Sequence, residues 1–507
     1  MSPTSNVPSS VVSDLRSNRS YIETAFENCQ DIVIENWTYG GGLKYDVLSV
    51  YCSSLVSADN NHYLKRTLED LSGQGSGTDD VASPDSIQSY FDRGGAAWQG
   101  FTTSSELSGA VELVLQGYVV LLFEGWDKAV AYKVASFEKR QVTEPVSEPV
   151  VKGPREGTIE NIDINLGMIR QRIQTPRLKI EFLSAGETSK TSIAFCYLDR
   201  VVLPSVLEEF KSRLKGIEKY DVPETSYVED WIQDSAYSPF PQYRYTERTD
   251  AVAAALMDGK VAVLVENSPA VMIAPSYFVD FIGTGEDYYV RTVFASMVRV
   301  LRLLAFLIAL TLPSIYIALS TFHSELIPTV LLLAILDTRE GIPFPAFIEA
   351  LIMEVSFELL REAGIRLPRP VGSAVSIVGA LVIGQAAIMA KIASPIMVIV
   401  VALTGIASFA IPHYEIAIAI RILRFPLMLA ATLLGGFGLM IAFLLLLLHM
   451  TCLQTLGQPY LTSFAPLKLR DFRDIFVRVP LKRMLASPRN RRLADSPSSP
   501  RKGGFPE

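Results

Sequence analysis

The chain has 507 residues, enough for two or three domains, and 49% of them are hydrophobic. Its formal net charge of −7 is unevenly divided, because residues 454–507 carry 11 Lys and Arg against 4 Asp and Glu, and residues 291–453 carry 10 against 8. Subtraction leaves −16 for residues 1–290. An acidic front, an apolar middle and a short basic end are typical of a membrane protein and argue against nucleic-acid binding.

The start of the chain and its scattered cysteines argue against several further classes of protein. Residues 1–20 are polar and rich in Ser and Pro, so we expect a disordered amino terminus without a cleaved signal peptide. The four cysteines and four histidines lie far apart, without the spacing of a zinc or disulfide motif. No metal or other cofactor is therefore expected, and no set of nucleophile, base and orienting group indicates an enzyme.

Residues 21–290 are predicted to form a two-subdomain α/β region in the cytosol. Strand-like and helix-like patterns alternate in residues 21–143, which favours a mixed sheet with helices on one or both faces. A Pro-rich connector, residues 144–157, precedes a second subdomain of the same kind in residues 158–290. The predicted strands are Asp31–Trp37, Asp46–Val50, Gln116–Phe123, Ala129–Ala135, Leu178–Leu183, Ser192–Tyr197 and Val261–Glu266, and the predicted helices are His62–Leu71, Ser105–Leu115, Ile162–Arg172, Ser205–Lys215 and Asp250–Met257.

Residues 291–453 are predicted to form an α-helical polytopic membrane domain with four to six spans. Four uncharged runs have the length of roughly 20 residues that a helix needs to cross ~30 Å of hydrocarbon. They are Leu303–Phe322, Val371–Ala390, Ile392–Pro412 and Phe425–Leu448. Leu326–Leu336 is too short to cross, which suggests a re-entrant or helix-pair element, and Ala346–Ala363 is amphipathic. Gly435, Gly436 and Gly438 are expected to permit close packing inside the last span.

Charges that flank the spans predict the orientation. Arg291, Arg299 and Arg302 precede the first span and the basic tail, residues 454–507, follows the last. Both ends should therefore be cytoplasmic, which requires an even number of crossings. Six crossings fit better with Arg339 and Lys391 in cytoplasmic turns. Arg421 and Arg424 are interpreted as interfacial anchors before the last span.

Three acids in the amphipathic segment, Glu349, Glu354 and Glu358, are costly in hydrocarbon. In one interpretation they face a water-filled path or an adjoining subunit. In the other, the helix lies at the membrane interface and its acids are solvated or paired to Arg361 and Arg366. The sequence leaves both open.

The run Val371–Ala390 has two different faces at helical spacing. Small residues that allow close helix packing gather on one side, namely Gly372, Ser376, Gly379, Ala386 and Ala390. The other side carries Val375, Val378, Val382, Gln385 and Met389. If subunits packed in a ring through the small face, the valines would form an apolar constriction that gates by dewetting. An ordinary span with valines facing lipid remains the alternative.

Several long motifs give the chain a family resemblance. They are VVKGPREG (150–157), INLGMIRQRI (164–173), YSPFPQ (237–242), TERTDAVAAALMDGKVAVLVENSP (246–269), STFHSELIPT (320–329), REGIPFPAFIEALIMEVSFELLREAGIRLPRPVG (339–372), VGALVIGQAA (378–387), SPIMVIVVALTGIASFAIP (394–412), LRFPLM (423–428) and QPYLTSFAP (458–466). In this order they resemble the A subunits of spore germinant receptors, the GerA family, over nearly everything after Pro149. Residues before about Glu144 depart from the family pattern.

The resemblance implies a function and a set of partners. Members are multi-span proteins of the spore inner membrane that act with a transporter-like, nutrient-binding B subunit and a C-subunit lipoprotein. The resemblance also implies assembly into a homo-oligomeric ring, expected to be a pentamer, that passes monovalent cations when germinant binds. The leading hypothesis is therefore a channel-forming receptor subunit surrounded by membrane lipid. A secondary transporter component and a membrane-anchored sensory scaffold without a pore remain alternatives.

Overall fold

The computed structural model describes residues 10–39, 45–56, 101–133, 144–145, 148–367, 379, 382–462, 464 and 475–480. These residues form two compact units. The first contains the described parts of residues 10–232 and 245–275, and the second contains residues 233–244 and the described parts of 276–480. The second unit thus includes residues that precede the hydropathy change at residue 291.

The first sheet of the first unit has five strands in the order β1-β2-β4-β5-β3. The strands are β1 (Ile32–Tyr39), β2 (Tyr45–Cys52), β3 (Phe101–Ser104), β4 (Tyr118–Phe123) and β5 (Ala129–Lys133). Every neighbouring pair is antiparallel, so the prediction of a mixed sheet was wrong for this subdomain. Helix α1 (Leu15–Ala25) and helix α2 (Leu107–Leu115) cover one face. A helix in the chain usually indicates a crossover between parallel neighbours. Here α2 connects β3 to β4, which are not neighbours in the sheet, so it makes no parallel pair.

Helix α1 begins inside the segment that the sequence predicts to be disordered. Asp14 caps its first turn by accepting hydrogen bonds from the backbone N–H groups of Arg16 and Ser17. Leu15 and Ile22, one face of the helix, are buried in the core. The polar composition of residues 1–20 concealed this amphipathic start. The predicted helix His62–Leu71 lies outside the described residues.

The second sheet has the order β6-β7-β9-β10-β8. Its strands are β6 (Leu178–Ala185), β7 (Thr191–Leu198), β8 (Arg244–Thr246), β9 (Val261–Val265) and β10 (Val271–Ala274), and the helices are α3 (Ile162–Arg172), α4 (Pro204–Leu214), α5 (Thr225–Ile232) and α6 (Thr249–Met257), with a 3₁₀ turn at Ile217–Lys219. Helices α3 and α6 bury their apolar sides against β6, β7 and β9. The predicted helices and strands of this subdomain are present, whereas β8, β10 and α5 were not predicted.

A buried ion pair joins the two subdomains of the first unit. Asp31, just before β1, accepts hydrogen bonds at both carboxylate oxygens from Arg170 of α3, at 2.8–3.0 Å. Both side chains are at most 1% exposed. Two thiols border the pair: Cys52 contacts the Asp31 carboxylate at 3.4 Å, and Cys29 donates to the carbonyl of Leu178 that Arg170 also contacts. Because each charged atom of the pair has partners, the subdomains are held at one defined point.

The second unit is a helical bundle. Its helices are α7 (Thr292–Thr321), α8 (Thr329–Arg339), α9 (Ala346–Arg366), α10 (Pro395–Phe409) and α11 (Tyr414–Cys452); residues 382–389 are also helical, 3₁₀ turns lie at Phe278–Phe281, Gly285–Tyr288 and Ser324–Leu326, and the short strands β11 (Gln454–Thr455) and β12 (Gln458–Pro459) follow the last helix. Among the described residues, α7 and α11 are long and apolar enough to cross a membrane, with mean hydropathies of 2.2 and 2.5. Helix α10 is apolar but has only 15 residues. The bundle is thus a helical region with two candidate spans.

Helix α11 reverses direction at Gly435. This residue has φ 62° and ψ −143°, which interrupts the helix and which only glycine adopts without strain. Gly438 lies against the backbone carbonyl of Ala430, eight residues earlier, whereas these positions would be about 12 Å apart in a straight helix. The expectation that these glycines permit close packing is confirmed, because each of them lies against a neighbouring residue. The single span that was predicted to contain them is wrong, because they form the turn of a helical hairpin.

Two apolar clusters lie along α7 and give the bundle two ends. Phe306, Ala309 and Leu310 pack with Phe278, Phe281, both ends of α11 and Tyr460, and we call this the entry end. Tyr316, Ile317 and Ala318 pack with Ala346, Ala393 and Met397, and we call this the far end. The hairpin turn meets Phe322 and His323, which follow α7. Both termini of α11 therefore return to the entry end.

Arg339 and Lys391 lie at the far end. Arg339 pairs with Glu349, whose other carboxylate oxygen accepts from the backbone N–H of Ser394, and the Lys391 ammonium lies against Gly341. The chain enters the bundle at the opposite end. Both residues thus lie at the end opposite to residues 278–290, and the prediction that they lie in cytoplasmic turns stays a prediction.

Candidate functional site: ion pairs inside the helical bundle

A proline in α7 creates the first element of the site. Pro313 lies inside the helix and has no backbone N–H, so the carbonyl of Ala309, four residues earlier, loses its usual helical partner. Arg424 of α11 replaces that partner, because its Nε donates to the Ala309 oxygen at 2.9 Å. The side chain of Arg424 is only 2% exposed, so it is not the interfacial anchor that the sequence suggested. The arginine satisfies a backbone group that would otherwise be costly in an apolar environment.

The same guanidinium pairs with an acid from a third helix. Arg424 Nη1 donates to Glu354 Oε2 on α9, and Glu354 is 3% exposed. Glu354 Oε1 and Arg424 Nη2 are buried and have no hydrogen-bond partner among the residues that the structure describes. One side chain of α11 thus joins the backbone of α7 to a carboxylate of α9 in the bundle interior.

A second group of charges lies one helical turn closer to the entry end. Arg421 donates to Glu358 at 2.5 Å, and Arg361 is 3.6 Å from the other oxygen of the same carboxylate. Arg361 also donates to Ser408 Oγ on α10 at 3.0 Å, and its guanidinium lies 4.8 Å from the centre of the Phe409 ring. With Glu354 and Arg424, the group carries three positive and two negative charges. It connects α9, α10 and α11.

Glu349 forms a separate pair at the far end. It is fully buried, pairs with Arg339 at 3.0 Å and accepts from the backbone N–H of Ser394 at 2.9 Å. Ser394 in turn caps α10 through a hydrogen bond from the backbone N–H of Met397. Glu349 therefore holds the start of α10 against α9 and α8.

The three acids that the sequence singled out thus contact arginines from other helices. Arg339, Arg421 and Arg424 are the main partners, and each lies between 10 and 70 residues away along the chain. Of the partners that the sequence suggested, Arg361 lies near Glu358, whereas Arg366 pairs with Glu362. A functional role for the acids stays a prediction. Sequence reasoning missed Pro313 and assigned Arg424 to the membrane interface. Each carries a signal, since one is a proline inside an apolar run and the other is a charge next to one.

The two-faced run Val371–Ala390 is described in part. Gly372, Val375, Ser376 and Val378 lie outside the described residues. Gly379 lies against Leu360 of α9, and Gly384 and Ala387 are buried in the bundle. Val382 is 55% exposed, and Gln385, Ala386 and Met389 are also exposed. Within one chain, the side that carries Val382, Gln385 and Met389 thus has no covering element among the described residues, and the pore-lining assignment stays a prediction.

The entry end is covered by segments that we call the collar, residues 233–244, 278–290 and 454–462. Asp287 accepts from Arg299 at 3.1 Å and from Arg302 at 2.9 Å, which attaches the residues before α7 to its first turns. Ser238 contacts His449 at 2.9 Å near the end of α11. The backbone N–H of Leu456 donates to Asp234 at 2.8 Å. The collar therefore ties together three separate parts of the chain.

Arg478 adds a further attachment to the collar. Its guanidinium donates to the carbonyls of Tyr288 and Val290, and its backbone N–H donates to Ser296 Oγ at 3.0 Å. His413, which precedes α11, contacts the carbonyl of Gly283 at 3.1 Å. The start of α7, the start of α11 and Arg478 are thus all attached to residues 283–290. No group of three or more metal-binding side chains lies among the described residues.

Comparison with known proteins places the chain among spore germination proteins. The family model for the Bacillus/Clostridium GerA spore germination protein matches residues 20–490. The uncharacterized membrane protein YfkQ of Bacillus subtilis is 40% identical over 478 residues, which cover 94% of this chain and 91% of that protein. Spore germination protein KA of the same organism is 44% identical over 73% of this chain and 68% of its own length. Spore germination protein GerLA of Bacillus cereus is 40% identical over 77% of this chain and 80% of its own length.

One solved structure is similar to the amino-terminal part. It is the N-terminal domain of the A subunit of the Bacillus megaterium spore germinant receptor GerK3, which covers 53% of this chain and 98% of that one at 23% identity and a TM-score of 0.41.

Proposed function

Because the chain belongs to the GerA family of spore germination receptor A subunits, we propose that copies of it form a cation-conducting pore in the spore inner membrane. The implied partners are a nutrient-binding B subunit, a C-subunit lipoprotein and monovalent cations. A homo-oligomer, with five copies as the expectation from the family resemblance, would surround the pore. The amino-terminal unit and the basic tail would both lie in the cytoplasm.

Six crossings are the arrangement that the packing of the bundle supports. In this arrangement α7 leads away from the entry end and α9 returns; the run Val371–Ala390, of which residues 382–389 are described as helical, leads out again, and α10 returns. The two halves of α11, residues 414–434 and 436–452, form the third, with lengths of about 31 and 26 Å. An even number keeps both termini on one side, as the flanking charges predict.

The observation that carries the pore proposal is the uneven burial of residues 382–389. Gly384 and Ala387 face the bundle, whereas Val382, Gln385 and Met389 face outward. A glutamine amide exposed to hydrocarbon is costly, because it has no hydrogen-bond partner there. A water-filled axis shared by several copies would solvate Gln385 and leave Val382 as an apolar constriction.

The test is the cation leak of the full-length chain in liposomes, alone and with its co-purified partners, measured with a potassium-sensitive dye. Val382→Ala should raise the resting leak severalfold, because a smaller side chain widens the constriction and lets water enter. The same substitution at Val378, which lies outside the described residues, should act in the same direction. Met440→Ala is the matched control, since Met440 is an apolar residue that is 72% exposed on a different helix, α11.

An unchanged leak in both valine variants would remove this helix from the pore. Saturable counterflow of a substrate would instead favour the transporter alternative. A complex that never passes ions, yet loses signalling when residues 1–290 are deleted, would favour the scaffold alternative.

A further inference from the structure

Pro313 divides α7 into two parts that pack with different partners. The part before it, including Phe306, Ala309 and Leu310, belongs to the apolar cluster at the entry end. The part after it, including Tyr316, Ile317 and Ala318, belongs to the cluster at the far end. The proline removes one backbone hydrogen bond at the border between the two clusters. A helix bends most easily where its hydrogen-bond ladder is interrupted.

The two clusters connect to different parts of the molecule. The entry-end cluster contains Phe240, Phe278 and Tyr460 of the collar. The far-end cluster contains Ala387, on the helical segment with the exposed Val382, and Ala393, which follows it. If movement of the collar bends α7 at Pro313, the contacts between the second part of α7 and the segment proposed to line the pore would therefore change.

Arg424 lies at this border and contacts both sides of it. Its Nε donates to Ala309 O, the carbonyl that Pro313 leaves without a helical partner, and its Nη1 donates to Glu354 of α9. Glu354 lies one residue after Met353, a member of the far-end cluster. The guanidinium can make both bonds at once because its donors point in fixed, different directions.

We propose that α7 hinges at Pro313 and that Arg424 is the positioning residue that holds the hinge in one conformation by bonding Ala309 O and Glu354. In this arrangement the arginine does for α7 what a backbone N–H does elsewhere in a helix. The bond is made by a side chain of another helix, so it can be released without unfolding α7. The functional part of this inference rests on the proposed pore.

The chemistry of the site suggests a suppressor. If the bond to Ala309 O is what holds the hinge, an alanine at position 313 restores the missing N–H and replaces that one bond, while Glu354 still loses its partner when Arg424 is removed. We therefore propose to compare the wild type, Arg424→Met, Pro313→Ala and the double variant, each as the full-length chain. Spin labels at Leu301 and Ile315, both exposed on α7, would lie on either side of the hinge, about 21 Å apart along a straight helix.

The distance between the labels reports the hinge directly. The wild type should give a narrow distribution, Arg424→Met a broad one, and the double variant a narrow one again. Arg424→Met should also lower the thermal midpoint by about 5 °C or more, and the double variant should recover a measurable part of that loss but not all of it, because Glu354 stays buried without its counter-charge. Thr311→Ala on α7 and Arg366→Met, an exposed ion-pair arginine, are controls that should leave both measurements unchanged.

Two outcomes would overturn the proposal. A distribution for Arg424→Met as narrow as that of the wild type would show that the arginine holds no hinge. A double variant as broad and as unstable as Arg424→Met would show that Ala309 O is not the group that matters. The leak assay tests the connection to the pore, because Arg424→Met should raise the leak and the double variant should reduce it. If Val378→Ala and Val382→Ala both leave the leak unchanged, this helix is removed from the pore, while the label distances still decide the hinge.

Discussion

The ion pair between Asp31 and Arg170 allows a quantitative test of how the two α/β subdomains are held together. Both side chains are at most 1% exposed, and three hydrogen bonds of 2.8–3.0 Å join them. Asp31→Ala leaves the guanidinium buried without its counter-charge. Removal of one partner from a buried pair costs about 3–5 kcal/mol, most of it the penalty of the charge left behind. We call the contact between the two subdomains at this ion pair the joint. Transient separation of the subdomains at the joint should therefore become roughly a hundredfold to a few thousandfold more frequent.

The two thiols beside the pair provide the assay. Cys29 and Cys52 are buried, and burial raises the pKa of the Cys52 thiol to about 12, so little thiolate is present in the closed protein at neutral pH. Alkylation of either thiol thus requires the joint to open. In the full-length chain with the exposed Cys452 changed to Ser, labelling of each cysteine would be followed by mass spectrometry. Asp31→Ala should accelerate labelling of Cys29 and Cys52 by the factor given above.

Two controls define the result. Arg19→Ala removes an exposed ion pair on α1 and should change the labelling rate by about twofold or less. Cys196 lies in the core of the second subdomain, so its labelling separates local opening from complete unfolding. The reasoning is refuted if Asp31→Ala labels Cys29 and Cys52 within about threefold of Arg19→Ala. Equal acceleration at Cys196 would instead show that the pair stabilises the whole second subdomain and not only the joint.

Two further predictions concern the bundle. Gly435→Ala should lower the thermal midpoint by about 4 °C or more, because the backbone conformation is strained for alanine and the added methyl would lie 2.8 Å from Phe322. Gly457→Ala also has a positive φ but meets nothing within 4 Å, so its effect should be smaller, and equal shifts would contradict the hairpin contact. Asp287→Asn should increase proteolytic cleavage within residues 284–290 at least about tenfold, because Arg299 and Arg302 lose a shared buried counter-charge. Cleavage no faster than in Asp337→Asn, an exposed aspartate of α8, would show that this attachment does not hold the collar.

The α/β region could be predicted well where the pattern is local. Runs such as Val261–Glu266 and Ile162–Arg172 carry clear periodicity, and both elements are present as β9 and α3. The direction of strand pairing could not be read in the same way, since it depends on which strands become neighbours. The short elements β8 and α5 also escaped prediction, because three to eight residues are too few for a period to be distinguished.

The membrane region shows a different limit. Hydropathy measures length and composition, so it described residues 425–448 as one span although the chain reverses at Gly435. The three closely spaced glycines were visible, but close packing and a helix break require the same residue type. The backbone angles of Gly435 and the contact between Gly438 and the Ala430 carbonyl distinguish the two.

The interior of the bundle explains why the most important residues were also the hardest to predict. Pro313 and Arg424 each appear unfavourable in an apolar helix when considered alone, one because it removes a hydrogen bond and the other because it carries a charge. Together they are complementary, since the carbonyl that the proline exposes accepts the hydrogen bond that the arginine must donate. Glu354 then balances the charge. The 110 residues between Pro313 and Arg424 contain no local sequence pattern that indicates this pairing. A proline in one apolar helix and an arginine in another are nevertheless a signal that can be sought in pairs, and Arg424→Met with Pro313→Ala tests whether the lost backbone bond is what the arginine replaces.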